Sequence, residues 1–220
     1  MIELLNTSAA KLIESRVDPV QLVHADPPWA YRNRQEGSVA SEKAFQYESM
    51  TIADIAADVD AAFDVAADDC YLALWSTFPT LFEWFEGSRD LRWTYISGAT
   101  WHKRGQLGVG YHFRGDSELL LLYKKGKPKP NGGSKSNHWS EKNRGHSIKP
   151  RVALKHLIEM ATKPGETVLE LYAGASASMA LCCRELVRSY LGAELDAERH
   201  NEALIHLSQR DLFEPAAHDG

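Results

Sequence analysis

Cysteine is scarce in this chain, long apolar runs are absent, and no signal peptide is expected. Three cysteines occur among 220 residues, and two of them, Cys182 and Cys183, are adjacent. We therefore expect reduced thiols rather than a disulfide framework, and no metal site, because no second Cys or His pair lies at zinc-ligand spacing. No apolar run approaches the roughly 18–20 residues that span a bilayer. Residues 1–16 lack the basic start and apolar stretch of a signal peptide, so a cytoplasmic protein is expected.

Basic residues are concentrated in one segment, although the net charge of the chain is −5. Residues 124–151 hold nine Lys or Arg and one acid, whereas residues 48–69 hold seven Asp or Glu and no Lys or Arg. A basic segment on an acidic chain is typical of a local nucleic-acid footprint, and a solvated loop is the alternative interpretation. We expect residues 124–147 to form a basic flexible loop and residues 214–220 a frayed tail.

Apolar strand patterns alternate with amphipathic helix patterns along most of the chain. Strands are predicted for VQLVHA, CYLALWS, WTYISGATWHK, SELLLLYKK, TVLELY and SYLGAEL. Helices are predicted for TIADIAADVDAAF with Thr51 as its cap, PTLFEWFEGS beginning at Pro79, KPRVALKHLIEMATKPG, MALCCRELV and AERHNEALIHLSQR. Length and alternation predict a single α/β domain over residues 1–220, with a mostly parallel sheet and helices on both of its faces.

The stretch Ala173-Gly174-Ala175-Ser176 lies between a predicted strand and a predicted helix. In a doubly wound fold such a turn lies at the carboxyl edge of the sheet, where the backbone approaches a ligand closely. Glu194 follows Gly174 by twenty residues, at the end of the next predicted strand. An acid at that offset suits the two hydroxyls of a ribose, whereas the turn alone is equally well a plain tight turn. Turn and acid together favour a nucleoside-containing ligand.

The stretch Asp26-Pro27-Pro28-Trp29 ends the first predicted buried strand. Two prolines fix two φ angles and remove two N–H donors, which leaves the Pro27 carbonyl without a neighbouring donor. The carboxylate of Asp26 is a second acceptor, and the ring of Trp29 is a flat surface beside both. This arrangement suits a planar group that carries an NH₂, such as a flipped nucleobase. The alternative is a strand ended by two prolines with Trp29 in the core.

The motif Asp-Pro-Pro-Trp resembles the catalytic motif of amino-group methyltransferases that use S-adenosylmethionine, in the permuted, β-class order in which it precedes the cofactor turn. With Trp in last place it looks like the adenine-N6 methyltransferases related to the eukaryotic mRNA adenosine methyltransferase, with bacterial and phage DNA-modifying members. The resemblance continues through YLALWST, TWHK, GVGYHFRGDSELLLLY, HSIKP, LELYAGASAS and LGAELDAERHNEAL, and so covers nearly the whole chain. It implies one Rossmann-like domain that depends on S-adenosylmethionine.

The resemblance also implies three groups of site residues. The clamp for the base consists of Asp26, Pro27, Pro28 and Trp29. The cofactor residues are Lys149, which would pair with the methionine carboxylate, Glu194, which would hold the ribose, and Glu170, Tyr172, Gly174 and Ser176, which would line the pocket. The substrate-binding residues, in loops that close over the target nucleotide, are Tyr31, Arg32, Asn33, Lys103, His112 and Arg114.

The chain departs from the family's pattern at two places. The cofactor turn reads YAGAS where many DNA amino-methyltransferases carry a Gly-Ser-Gly-type loop. Family members also often place an acid near the N-terminus against the cofactor adenine, and here Asn6, Thr7 or Ser8 would have to substitute for it.

The function that the resemblance implies is methylation of adenine N6 in double-stranded DNA, in a bacterial cytoplasm or a phage-infected host cell. S-adenosylhomocysteine would be the second product, and no metal is expected. Specificity would come from loops 31–49, 104–116 and 124–147, because no separate recognition domain is visible. An RNA adenosine or cytosine-amino methyltransferase, and a catalytically silent nucleic-acid-binding partner, are the alternatives. A nicotinamide-dependent oxidoreductase is disfavoured by the incomplete dinucleotide motif. Monomer and homodimer both stay open.

Overall fold

Strands and helices alternate along the chain in the computed structural model, which describes residues 1–15, 18–30, 49–105, 107, 112–133, 135–142 and 148–211. The strands are β1 (Ile2–Asn6), β2 (Val20–Ala25), β3 (Ala66–Ser76), β4 (Thr94–Arg104), β5 (Ser117–Lys125), β6 (His138–Lys142), β7 (Thr167–Glu170) and β8 (Ser189–Glu194). The helices are α1 (Ala9–Glu14), α2 (Ile52–Val65), α3 (Phe78–Gly87), α4 (Arg151–Ala161), α5 (Ser178–Glu185) and α6 (Ala197–Asp211). The predicted tail 214–220 lies outside these residues.

The strands of the described residues form one eight-stranded sheet in the order β1-β8-β7-β2-β3-β5-β4-β6. Neighbours are parallel throughout except for β5, which runs antiparallel to both β3 and β4. The predicted mostly parallel α/β sheet is therefore confirmed. One consequence of this topology matters for the site: the start of β5 lies at the same edge as the carboxyl ends of the other strands.

Helices cover the sheet on both faces, as predicted. One core cluster joins the sheet to α1, α2 and α3 and includes Leu12, Ile55 and Trp84. The other joins it to α4, α5 and α6 and includes Leu154 and Met179. Strand β3 is central and is buried without interruption over its last seven residues, because a strand covered on both faces has no solvent side. No helix among the described residues is long and apolar enough to cross a membrane.

Two elements differ from the sequence prediction. Residues 124–147 are not one continuous loop, because Lys124 and Lys125 end β5 and residues 138–142 form β6 alongside β4. Trp139 anchors β6: its ring is 8% exposed, while its neighbours His138 and Ser140 face solvent. The short strand β1 was also not predicted, since only one of its residues is buried.

Helix starts agree closely with the sequence prediction. The Thr51 side chain accepts a hydrogen bond from the backbone N–H of Asp54 and caps α2. Helix α3 begins at Phe78, one residue before the predicted start, and Pro79 lies in its first turn, where a missing N–H costs nothing.

Gly192 provides space for the side chain of Tyr190, two residues earlier on β8. A Cβ on Gly192 would lie 2.1 Å from the Tyr190 hydroxyl oxygen and 2.6 Å from Cζ. We expect Gly192→Ala to displace this ring and to lower the free energy of unfolding by about 1–3 kcal/mol, the usual cost of overpacking. Urea unfolding measures the change.

Gly115→Ala is the matched control for this substitution. Nothing lies within 4 Å of the Cβ that it would add. Equal unfolding midpoints for the two variants would show that the Tyr190 ring does not depend on Gly192.

Candidate active site

The carboxyl edge of the sheet collects the predicted site residues from distant parts of the chain. Asp26 directly follows β2, Gly174 lies in the turn after β7, and Glu194 ends β8. The antiparallel strand β5 brings Glu118 to the same edge, because its register pairs Leu119 with Ser76, the last residue of β3. This edge is where ligands bind in open α/β sheets.

Asp26 is held by a buried ammonium group. The Nζ atom of Lys149 donates to Asp26 Oδ2 at 2.5 Å and lies 3.2 Å from Glu118 Oε2. Lys103 pairs with the other oxygen of Glu118. These four side chains, which we call the ion-pair chain, alternate in sign, so each buried charge is compensated by a neighbour.

The ion-pair chain keeps its members ionised. Burial works against the charged form of Lys149, but the carboxylates of Asp26 and Glu118 outweigh it and raise the pKa of this lysine above its ordinary 10.5. Burial also opposes the charge on Glu118, and the ammonium groups of Lys149 and Lys103 outweigh it and lower the pKa of this carboxyl. The ring of Trp75 lies 5.4 Å from Nζ of Lys149 and adds a cation–π contact.

Sequence reasoning did not identify Glu118. Its one signal is an acid at the start of an otherwise apolar strand pattern, in SELLLLYKK. The assignment of Lys149 to the cofactor's carboxylate stays a prediction. In the structure this lysine faces two carboxylates of the protein itself.

The backbone of the Asp26-Pro27-Pro28-Trp29 motif is more constrained than the sequence suggests. The Pro27 carbonyl accepts a hydrogen bond from the N–H of Trp29 at 2.9 Å, so the expectation that it has no neighbouring donor is wrong. A carbonyl oxygen has two lone pairs, and one acceptor position is left. The Pro28 carbonyl accepts from the N–H of Met50, also at 2.9 Å, in a bridge between Trp29 and Met50.

Trp29 lies in the core, which corrects the expectation that its ring is free to stack on a base. The residue is 5% exposed. Its Nε1–H donates to the Trp75 carbonyl at 3.2 Å, and its ring contacts Trp84 of α3 edge to face. An indole gains most where its ring is buried and its N–H has a partner, and β3 and α3 supply both. The alternative interpretation of the motif therefore holds for this side chain.

Glu170 belongs to a buried hydrogen-bond network. It is 4% exposed, and its two oxygens contact His24 Nδ1 at 2.9 Å and the Tyr190 hydroxyl at 2.6 Å. The Trp75 indole donates to His24 Nε2, so Nδ1 of His24 carries the proton that Glu170 accepts. Burial and the neighbouring Glu170 raise the pKa of Tyr190 well above its ordinary value. These buried hydrogen bonds link β2, β3, β7 and β8.

Gly174 and Glu194, the two residues of the predicted nucleoside site, are in direct contact. The N–H of Gly174 donates to Glu194 Oε2 at 2.7 Å, and the N–H of Asp196 donates to Oε1 at 2.9 Å. Gly174 adopts a φ of 66°, a conformation that favours glycine. Each carboxylate oxygen of Glu194 has a second acceptor position, so the group fits the hydroxyls of a ribose. Asn6 lies beside it and donates to the Glu194 carbonyl.

Tyr172 and Ser176 contact other residues of the same region. The Tyr172 hydroxyl donates to Asp58 Oδ2 on α2 at 2.9 Å, which fixes the ring against that helix. Burial raises the pKa of Asp58, and the hydrogen bond from Tyr172 offsets part of the increase. Ser176 Oγ lies 2.9 Å from Ser178 Oγ. Between them Ala177, the residue that follows YAGAS and caps α5, adopts a φ of 48°, which places backbone strain at a non-glycine position.

The predicted substrate-binding residues fall into two groups. Tyr31, Arg32 and Asn33 lie outside the described residues. Lys103, His112 and Arg114 lie at or beside the segment that joins β4 to β5. His112 is exposed. Arg114 and Lys103 line an open cleft together with His102, Gly105, Leu107 and Asp116.

Two solved structures share the fold of this chain. The fold is similar to that of a DNA modification methylase from Thermus thermophilus, complexed with S-adenosyl-L-methionine, at a TM-score of 0.72 and 16% identity over 95% of this chain and 94% of that one. It is also similar to PvuII DNA methyltransferase, which is cytosine-N4-specific, at a TM-score of 0.71 and 13% identity over 92% and 85% of the two chains.

The chain belongs to the N6/N4 DNA methylase family, whose model matches residues 20–204. The type II methyltransferase M.MunI from Mycoplasma sp is 27% identical over 172 residues, 70% of this chain and 71% of that protein. The expectation of a DNA methyltransferase is therefore confirmed at the level of the family. The choice between adenine N6 and cytosine N4, and the relation to the mRNA adenosine methyltransferase, stay predictions.

Lys149→Met tests the ion-pair chain, because it leaves the carboxylates of Asp26 and Glu118 without their shared cation. Breaking a buried ion pair from one side costs about 3–5 kcal/mol, and we expect a loss of that size in urea unfolding near neutral pH. The raised pKa of Lys149 means that its stabilisation is complete below about pH 10.5 and declines above it. The difference from the wild type should therefore shrink at strongly alkaline pH.

Lys155→Met is the control for this variant, since Lys155 pairs with Glu185 and its side chain is 39% exposed. An exposed pair contributes about 0–1 kcal/mol. An effect of Lys149→Met no larger than that of the control would contradict a buried, compensating ammonium.

Proposed function

We propose that this protein transfers a methyl group from S-adenosylmethionine to the exocyclic amino group of adenine in double-stranded DNA. Membership of the DNA methylase family supports DNA as the substrate. The observation that carries the proposal is the position of Asp26. It ends β2, and β2 is the hydrogen-bonded neighbour of β7, whose following turn contains Gly174. Adjacent strands are about 4.8 Å apart, so acceptor and cofactor turn lie side by side.

The cofactor is S-adenosylmethionine, whose sulfonium supplies an already activated methyl group. Glu194 binds the ribose hydroxyls through the acceptor positions that Gly174 and Asp196 leave open. Lys149 is the cation that we assign to the methionine carboxylate, which would join Asp26 and Glu118 as a third carboxylate around its ammonium group. Tyr172 and Ser176 line the pocket between these two ends.

Asp26 and the Pro27 carbonyl orient the amino group. Lys149 engages Oδ2 of Asp26, so we assign Oδ1 to one amino hydrogen of the base, and the second acceptor position of the Pro27 carbonyl to the other. Both contacts oppose delocalisation of the nitrogen lone pair into the ring. They also stabilise the positive charge that develops on nitrogen during transfer, as preorganised acceptors do. Holding the nitrogen in line with the methyl carbon is the remaining contribution. The new N–C bond would replace the S–C bond of the cofactor, S-adenosylhomocysteine would leave, and the surplus proton on nitrogen would pass to solvent after the transfer.

Adenine is favoured over cytosine by the resemblance of the Asp-Pro-Pro-Trp motif to adenine-N6 enzymes. The cytosine amino group is the second candidate, because a cytosine-N4-specific enzyme shares the fold. Both bases present an NH₂ next to a ring nitrogen, so the same pair of acceptors suits either one. A DNA-modifying enzyme of this kind acts where the DNA is, in the cytoplasm of a bacterium or of a phage-infected cell.

Identification of the methylated nucleoside tests the proposal. Plasmid DNA from cells without DNA methyltransferases is incubated with protein and S-adenosylmethionine, hydrolysed, and analysed by mass spectrometry. We expect N6-methyldeoxyadenosine. N4-methyldeoxycytidine in its place would assign the second candidate, methylation of RNA alone would overturn the DNA substrate, and an absence of product with bound cofactor would indicate a silent partner.

Asp26→Asn separates catalysis from binding. The amide keeps the size of the side chain but loses the charge that stabilises the developing cation, and loss of one such contact typically slows turnover by about 10²–10³-fold. We expect methyl transfer to fall by at least this factor, while calorimetry still detects S-adenosylmethionine binding. Asp18→Asn, which changes an exposed acid before the start of β2, is the control. Full turnover in the Asp26 variant would remove this residue from the mechanism.

A further inference from the structure

Phe113 is the most exposed large hydrophobic side chain among the described residues. It is 92% exposed and lies between His112 and Arg114, which are exposed as well. A single exposed apolar side chain is ordinary on a protein surface. The position of Phe113 and the charges around it distinguish it from such cases.

The segment that carries Phe113 joins β4 to β5 at the carboxyl edge of the sheet. The N–H of Lys103 donates to the Asp116 carbonyl at 2.7 Å, which brings the two ends of the segment together. Strand β5 is separated from β2 only by β3. Two strand spacings are roughly 10 Å, so the end of this segment at β5 lies roughly 10 Å from the end of β2, and its beginning at β4 lies one strand spacing further away.

Cationic side chains lie next to Phe113 in sequence and along the cleft beside its segment. Arg114 lines this open cleft together with His102 and Lys103, and Asp116 is the acid among the described lining residues. Lys103 also pairs with Glu118. Next to this cleft, Lys142 of β6 is exposed and pairs in register with Arg104 of β4. An exposed aromatic ring among cations matches a partner with flat apolar faces and anionic edges, which is the chemistry of stacked bases joined by phosphates.

We propose that Phe113 enters the duplex and fills the place that the flipped adenine leaves, while Arg114 contacts an adjacent phosphate. The proposal rests on the proposed function, because it requires extrusion of the target base toward Asp26. Extrusion breaks the stacking of the target on both sides, and aromatic or apolar side chains that insert at such steps recover part of that loss. Trp29 is buried and Phe113 is exposed, so in this proposal Phe113 is the aromatic side chain that stacks on DNA. It stacks on the bases that surround the vacated position, not on the target base.

Methylation of matched duplex and single-stranded substrates tests this role. Both carry one sequence that the wild type methylates in plasmid DNA. Stacking of one aromatic side chain corresponds to about a 5- to 150-fold effect. We expect Phe113→Ala to lower kcat/KM on the duplex by about 10-fold or more, and to change it by less than about 3-fold on the single strand, where no gap is left to fill.

Two further measurements sharpen this test. An abasic site opposite the target adenine lowers the cost of extrusion, so this duplex should restore most of the activity of Phe113→Ala. Phe113→Trp keeps an aromatic ring and should retain duplex activity. With 2-aminopurine in the target position, the fluorescence increase that reports base extrusion should be smaller for Phe113→Ala than for the wild type.

Ile205→Ala is the matched control. Ile205 is 52% exposed on α6, which packs against β1 and β8 at the other end of the sheet, and its loss should leave both substrates unaffected. An equal loss on duplex and single strand for Phe113→Ala, or no loss on the duplex, overturns the inference while the proposed function stands. A wild type that methylates no DNA overturns both.

Discussion

The buried ammonium group of Lys149 is the interaction on which the site depends. It compensates two carboxylates from distant parts of the chain, Asp26 after β2 and Glu118 on β5, and Lys103 gives Glu118 a second cation. Lys149 also immediately precedes Pro150, the N-cap of α4. The ion pair with Asp26 therefore joins the start of α4 to the end of β2.

Charge is divided along the carboxyl edge of the sheet. Glu194 and Glu170 lie on the β8 and β7 side, where the backbone turn suits a nucleoside, whereas the ends of β4 and β6 carry exposed cations. Asp26 lies between the two regions. Exposed cations therefore occur at this edge in a chain with net charge −5, and two acids of α2, Asp60 and Asp64, pair with Arg92. Net charge alone is a poor guide to the partner.

Local patterns predicted the backbone of the site well, and its long-range contacts poorly. The turn at Gly174 and the acid at Glu194 were found because their spacing follows from a strand–helix–strand unit. Burial of Trp29 depends on a carbonyl of β3 and on Trp84 of α3, far away in sequence. The ion pair between Glu118 and Lys149 likewise depends on β5, which runs antiparallel to its neighbours. The hydrophobic pattern of a strand does not show in which direction the strand runs in the sheet. Strand β6 was missed because a single buried ring, Trp139, anchors it within a polar segment.

The bridge between Trp29 and Met50 has a consequence for how enzymes of this type diverge. It fixes both ends of the intervening stretch beside the catalytic motif, with the Pro28 carbonyl as one of the fixed points. The entropy of closing a loop rises only with the logarithm of its length, so doubling that stretch costs about 0.6 kcal/mol. A longer or different stretch between these two fixed points is therefore compatible with the same position of Asp26.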